Sequence, residues 1–284
     1  MPELEPNNID RRKQLQVALP PQEKTKKAFR LLHEYSKIPH DQIEPHIVAI
    51  RNKAFEIFPY VCIGRWGFLS LNITNLPTYS ELVSRGQNGA VILDCGCCFG
   101  QALRQLAFDG VPQENLVGLD LRQEFIDLGF ELFKDSQTWK GKFVAGDLLA
   151  CAEGQQQGLD EVVDGKVDII HVASVFHLFG WDDQVTLGVR MVKFFRGEGA
   201  KGRRTVVGRQ VGNSEEPLDP KEHERLGLGR YHHNEASLQR LWDVIGERTG
   251  TTWAVEAGLE MVESDLDGLL SRELTMITFA VRQV

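Results

Sequence analysis

No stretch of this chain approaches the roughly 18 consecutive apolar residues that a membrane span requires. The best candidate, Val167 to Trp181, is broken by Asp168, His171, Ser174 and His177. Positive charge is also in short supply. The 32 Lys and Arg residues are outnumbered by 40 Asp and Glu, for a formal net charge of −8, and the basic residues are dispersed. That balance argues against a phosphate backbone as the main partner, and so against nucleic acid. Cysteine occurs in an odd number, five (Cys62, Cys95, Cys97, Cys98, Cys151), with three crowded into four positions. Such usage argues against a disulfide scaffold and for a reducing compartment. A zinc site lacks its second half: no CxxC or HxxxH pair complements Cys95-x-Cys97-Cys98, so no metal is expected. The opening MPELEPNNIDRRKQ has no apolar signal-peptide core, and the closing VRQV is no recognised targeting tail. The expected location is the cytoplasm.

What is present is enough apolar material, 42% of 284 residues, for a packed core, and a rhythm that names its class. Residues 1–22 are polar, contain Pro20-Pro21 and read as a loose tail. A helical cap or substrate lid is expected over 23–88. It begins with a helix from Glu23 to Tyr35. In a second helix Ile43, Ile47, Ile50, Ala54 and Phe58 recur at three- and four-residue steps until Pro59. The segment PYVCIGRWGFL has no clean period. From residue 89 short apolar runs alternate with helix-length stretches. The runs are Ala90–Asp94, Leu116–Asp120, Lys142–Gly146, Val167–Ala173, Arg204–Arg209, Thr252–Gly258 and Leu274–Val281. Helices are expected after Gly100, over Gln123–Lys134 and Asp182–Phe195, and from an Asn234 cap to Gly250. Residues 211–233 read as loop, and a short turn of helix is expected between the last two strands. Strands alternating with helices give βαβ units and a buried, mostly parallel sheet. The fold class is α/β, a Rossmann-like seven-stranded sheet over 89–284 with the last strand antiparallel.

The most informative segment is Val91-Ile92-Leu93-Asp94-Cys95-Gly96-Cys97-Cys98-Phe99-Gly100. An apolar strand ends in an acid and a loop of small residues leads into a helix, which lets backbone N–H groups approach a ligand. A dinucleotide fingerprint fails here, because its third and sixth positions are Cys98 and Gln101. An anionic pyrophosphate would be repelled by Asp94, whereas a ligand bearing an amino group and a sulfonium would be attracted. Asp120 lies 26 residues further on, at the next strand tip, where it can take ribose hydroxyls.

These residues resemble the first two motifs of the class I methyltransferases that use S-adenosylmethionine. The resemblance implies a cofactor site built from Asp94, Gly96, Cys98, Gly100, Leu119, Asp120, Leu121, Gly146, Asp147, Leu148 and Ser174. Gly146-Asp147-Leu148 resembles the place where the adenine amine is met. Cys98 departs from the usual middle glycine. A narrower resemblance, carried by Ile43–Phe58, PYVCIGRWGF, VILDCGCCFGQALRQLAFDGVP and VASVFHLFGWDDQ, is to the methyltransferases of fungal meroterpenoid pathways. That group forms methyl esters on the carboxyl of farnesylated dimethylorsellinate intermediates, and its members are homodimers.

A carboxylate acceptor, with a reference pKa near 4, needs orientation rather than a general base; a phenol, near 10, needs a base. His177, just after the fourth strand, is the candidate for either role. Tyr60, Trp66, Phe176, Phe179, Arg209 and His232 are candidates for the substrate wall, with Phe58, Phe68 and Trp181 beside them. Arg209-Gln210, ending the fifth strand, are placed to steer an anion. The competing readings are a phenol or hydroxyl methyltransferase and a non-catalytic partner subunit of the same fold. The N-terminal helices either make the dimer contact or cover their own site.

Overall fold

In the computed structural model, residues 17–150, 157–197, 201–262 and 274–284 are described. The loose tail expected over 1–22 lies outside them up to residue 16, and its last part is tied down. The Val17 N–H donates to the Gly64 carbonyl at 3.3 Å, and the Val17 carbonyl accepts the Trp66 indole N–H at 3.1 Å.

The cap contains α1 (Gln22–Glu34), α2 (His40–Ile57), a short α3 (Val61–Gly64) and α4 (Tyr79–Gln87). The face expected on α2 is real: Ile43, Ile47, Ile50 and Ala54 are completely buried. Each buried isoleucine contributes about 1.5–3 kcal/mol, an upper bound for a chain already partly collapsed when unfolded. Phe58 is already extended, as the residue before a proline prefers. The aperiodic PYVCIGRWGFL proves to be two short helical turns, α3 and a 3₁₀ turn at Gly67–Leu69. They are joined through Trp66 at φ 63°.

The second part follows the βαβ rhythm with small boundary shifts. It runs β1 (Ile92–Cys95), α5 (Gln101–Phe108), β2 (Leu116–Asp120), α6 (Gln123–Phe133), β3 (Lys142–Ala145), α7 (Gln157–Val163), β4 (Ile169–Val172), α8 (Trp181–Phe194) and β5 (Thr205–Val211). Then come α9 (Pro220–Arg225), α10 (Glu235–Thr249), β6 (Trp253–Val262) and β7 (Leu274–Gln283). The sheet order is β3-β2-β1-β4-β5-β7-β6, with β1 to β5 parallel and β7 antiparallel to both neighbours. The order reverses between β1 and β4, and the crevice beyond the strand tips at such a switch is where ligands bind.

Two expectations need correction. The stretch 211–233 is not all loop: Asp219 caps α9 by accepting the Lys221 N–H at 3.0 Å. A proline at the first helical position, usually a good start signal, stood in a Gly- and Glu-rich context that hid it. Strand β6 runs on past Gly258 to Val262, because its pairing with β7 continues to Val262↔Leu274. The helical turn expected between those strands falls on residues 263–273, outside the described residues, as does Cys151. The α10 cap is as expected: Asn234 accepts from the Ser237 N–H at 2.8 Å, Ser237 reciprocates, and Gly250 at φ 67° ends the helix. Among the described residues no helix is long and apolar enough to cross a membrane.

Cap and sheet share a core. The buried faces of α1 and α2 form one cluster with Phe99 and with Phe125, Leu128, Leu132 and Phe133 of α6. A buried charge pins the joint. The Arg104 guanidinium, fully buried on α5, holds Asp135 through two hydrogen bonds of 2.9 Å and donates to the Phe99 carbonyl at 3.0 Å. Its planar faces lie within about 5 Å of Phe130, Phe133, Trp139 and Phe143. Tyr35 of the cap reaches the same Asp135 with its hydroxyl at 2.8 Å.

Candidate active site

The loop after β1 is wound tightly. Gly96, Cys98 and Gly100 all lie in the left-handed region, at φ 74°, 52° and 66°. A Cβ on Gly96 would come within 2.6 Å of a Val175 methyl, so that glycine is required twice over. Cys98 adopts the glycine conformation with a side chain attached. Four of the loop's N–H groups, those of Gly96, Cys97, Cys98 and Gly100, are bonded within the protein. Those of Gly96 and Cys97 donate to the Leu119 carbonyl at 2.7 and 3.0 Å, and that of Gly100 to the Cys97 carbonyl at 2.7 Å. The Cys98 N–H donates to Oδ2 of Asp120 at 2.7 Å.

The two strand-tip acids have different settings. Asp94 is buried and bonded to Nδ1 of His171, its register partner on β4, at 2.7 Å. Asp120 accepts from the Cys98 and Arg122 N–H groups, one at each oxygen. Burial pushes its carboxyl above the usual range, and those two donors pull it back part of the way. Each oxygen keeps a further lone pair, which is the acceptor chemistry a ribose diol needs. Leu119 is buried beneath, whereas Leu121 is half exposed at the rim. Gly146 is fixed by donating its N–H to the Asp120 carbonyl at 2.8 Å, and Asp147 accepts the Leu149 N–H at 2.9 Å. Leu148 packs into the main core. These acceptors fit a nucleoside lying across the tips of β1 and β2.

The cap closes over that side. Phe58 and Tyr60 lie 4.3 Å apart, Tyr60 lies 5.8 Å from Phe125, and the Arg122 guanidinium sits 4.6 Å from the Phe58 ring. Tyr60, expected in the substrate wall, is thus brought beside the β2 tip. Trp66 and Phe68 are buried in the cluster that joins the cap to Phe99 and α6, with the Trp66 indole N–H held by Val17 and its face covered by Arg51. Those two aromatics build the cap rather than a wall.

The other candidates gather past β4 and β5. Ser174, left-handed at φ 56°, donates its N–H to the Arg209 carbonyl at 3.0 Å. A 3₁₀ turn over Phe176–Leu178 follows. Phe176 is buried in the main core, where Phe179 and Trp181 pack against it in part. The loop carrying His232 docks on this turn through Tyr231, whose N–H donates to the Phe179 carbonyl at 2.9 Å. The rings of His177 and His232 lie 6.2 Å apart, and Nδ1 of the first and Nε2 of the second are buried without a partner. Burial lowers both imidazoles, His177 to about 4, so both are neutral at physiological pH. Arg209 does not face an acceptor freely, because it is paired with Glu260 of β6 at 3.1 Å. The neighbouring His233 is bonded to Ser237 and Gln184 at 3.0 and 2.9 Å and holds the loop in place.

Sequence reasoning missed His171, Arg122 and the Tyr35–Asp135–Arg104 joint. A histidine inside the apolar β4 run, at the step that faces Asp94, was the readable signal for the first. Burial of the thiols Cys95, Cys97 and Cys98 raises their pKa values and keeps them protonated, as small packing residues.

Residues 18–69 match the family described as meroterpenoid methyltransferase N-terminal domain, and residues 92–199 match a methyltransferase domain. The chain is 40% identical over 228 residues to the O-methyltransferase phiE of a fungal species, covering 79% of this chain and 72% of that one. It is 37% identical to the methyltransferase ausD of Aspergillus calidoustus over 80% of this chain and 78% of that one. It is 41% identical to the O-methyltransferase atr3 of Stereocaulon alpinum over 81% of this chain, which is 64% of that longer relative. Among solved structures, one of a candidate sarcosine dimethylglycine methyltransferase from Galdieria sulphuraria superposes with a TM-score of 0.50 at 13% identity. That match covers 75% of this chain and 86% of that one. The magnesium protoporphyrin IX methyltransferase of Synechocystis, solved with S-adenosylhomocysteine, gives 0.47 at 16% identity over 76% and 85%. The sequence matches agree with the strand order and the paired acids at the crevice: this chain belongs to the meroterpenoid methyltransferase family of fungal secondary metabolism, and S-adenosylmethionine is its cofactor.

Proposed function

We propose that this enzyme forms a methyl ester on the carboxyl group of a prenylated aromatic acid and that it acts as a homodimer. The observation that carries the carboxyl reading is the corner between His177 and His232. Its imidazoles are neutral, the Arg230 charge acts on both of them, and Arg209, near the end of β5, is paired with Glu260. A histidine lowered to about 4 is a weak base, badly matched to a phenol near pKa 10. A carboxylate arrives ionised and needs no base. Neutral N–H donors orient it without the deep ground-state stabilisation that an arginine fork would add.

S-adenosylmethionine, when bound, supplies a methyl on a sulfonium, and transfer is an in-line displacement by the acceptor oxygen. The chain's part is to hold and exclude. Asp120 would take the ribose hydroxyls, Asp94 braced by His171 would face the cationic end, and Gly146 and Asp147 would border the base. Phe179 and Trp181 give the acceptor an apolar border, and His177 and His232 would donate to its carboxyl. The homodimer rests on the family resemblance, and light scattering tests it.

The deciding assay is incubation with labelled cofactor and farnesylated aromatic acids beside their phenol-only analogues, read by mass. Methyl esters on the acids support the reading; aryl ethers on the phenols alone would overturn it. His177→Ala should slow an acid acceptor only a few fold, whereas loss of a true general base costs about a hundred- to ten-thousandfold.

A further inference from the structure

The end of β5 holds a group that the fold does not use. Gln210 is completely buried, and neither its Nε2 nor its Oε1 has a hydrogen-bond partner. A buried amide left unpaired is destabilising, and native folds rarely keep one without a reason. Its position supplies the reason. One residue earlier, the Arg209 carbonyl anchors Ser174 at the start of the loop carrying His177. Two residues later, Gly212 bridges to His233, and the Asn213 N–H donates to the His233 carbonyl at 2.8 Å. Alternation along the strand puts Gln210 on the face of Val206, which lines the cluster containing Phe176, and opposite to that of Arg209. Gln210 is thus bracketed by the two segments that carry the unpartnered imidazole nitrogens. Three side chains with unsatisfied polar atoms come from β5, the turn after β4 and the loop before α10.

We infer that Gln210 is an acceptor-binding residue: its unpaired amide takes up the oxygen edge of the incoming acid. Nε2 donates to a carboxyl oxygen, and Oε1 accepts a donor that enters with the acceptor. This deepens the carboxyl reading and rests on it for the chemical class of the ligand. Because the amide is covered, the segments above it must part for entry.

The test separates binding from structure, because the two roles predict opposite signs for stability. Gln210→Leu keeps size and removes the unpaired amide. The ligand-free melting temperature should hold or rise by a few degrees, and S-adenosylhomocysteine affinity by calorimetry should stay within twofold. KM for the farnesylated aromatic acid should rise about ten- to a hundredfold, the loss of one or two hydrogen bonds to a charged group. Gln210→Met serves if leucine does not pack. A melting temperature lowered in both variants, a changed cofactor affinity or an unchanged KM each overturns the inference. If the wild-type enzyme methylates only phenols, the carboxyl reading fails, and the same three measurements on the phenol still decide the role of Gln210.

Discussion

His171 Nδ1 and Asp94 Oδ1 lie 2.7 Å apart across the β1–β4 register, with side chains 6% and 5% exposed. The acid expected to meet the cationic end of the cofactor is therefore held from behind by the neighbouring strand. His171→Ala leaves a buried carboxylate without this partner, which should lower stability to urea by about 1–3 kcal/mol. Asp94→Asn in the same background should recover part of that loss, because the two changes remove one interaction. Additive losses in the double-mutant cycle would show the contact to be incidental.

Asp120 serves the loop and the ligand at once. Asp120→Ala should weaken S-adenosylhomocysteine binding about ten- to a hundredfold in calorimetry, through charge-assisted hydrogen bonds worth about 1.5–3 kcal/mol. It should also cost stability in the absence of ligand, since the Cys98 N–H loses its acceptor. Unchanged affinity would place the ribose elsewhere.

Cys98 occupies a conformation that costs a side-chain-bearing residue about 1–2 kcal/mol. Cys98→Gly relieves that strain but gives up packing against the cap and adds freedom to the unfolded chain. The expected net change is within about 1 kcal/mol, with cofactor affinity retained. Cys98→Val, β-branched at a positive φ, should destabilise by about 2 kcal/mol or more. Urea midpoints of the two variants check the ordering.

Acid should weaken the fold before ordinary carboxylates titrate. Burial lowers His177 from 6.5 to about 4 and His233 from 6.5 to about 3, so the unfolded chain binds protons that the native one refuses. The stability these groups contribute is whole above pH 6.5 and is lost as pH falls toward those lowered values. The slope is about 1.4 kcal/mol per unit for each histidine. Asp120, raised by burial, acts in the opposite direction. Unfolding measured at pH 7.5, 6 and 5 should show the decline, and His177→Leu should remove one histidine's share of it.

The sheet was legible because its strands are short apolar runs with turn signals on both sides, and α2 because its isoleucines keep a helical step. Asp94 and Asp120 were legible for the same reason: strand tips announce themselves. The acceptor side was harder. Trp66 and Tyr60 look alike in a list of aromatics, yet one packs the cap and the other borders the β2 tip, a distinction made by tertiary packing alone. Arg209 looked available until Glu260 arrived from a strand 51 residues away. Gln210 was noticed only as a neighbour of that arginine, because being unpaired is a property of the fold and not of a residue type.

The joint among Tyr35, Asp135 and Arg104 bears on engineering. Exchanging the first helices between relatives to alter acceptor preference would put the Tyr35 hydroxyl contact to Asp135 at stake. Grafts should travel with α5, α6 and the segment through residue 143, which makes the transplantable unit considerably larger than the N-terminal region alone.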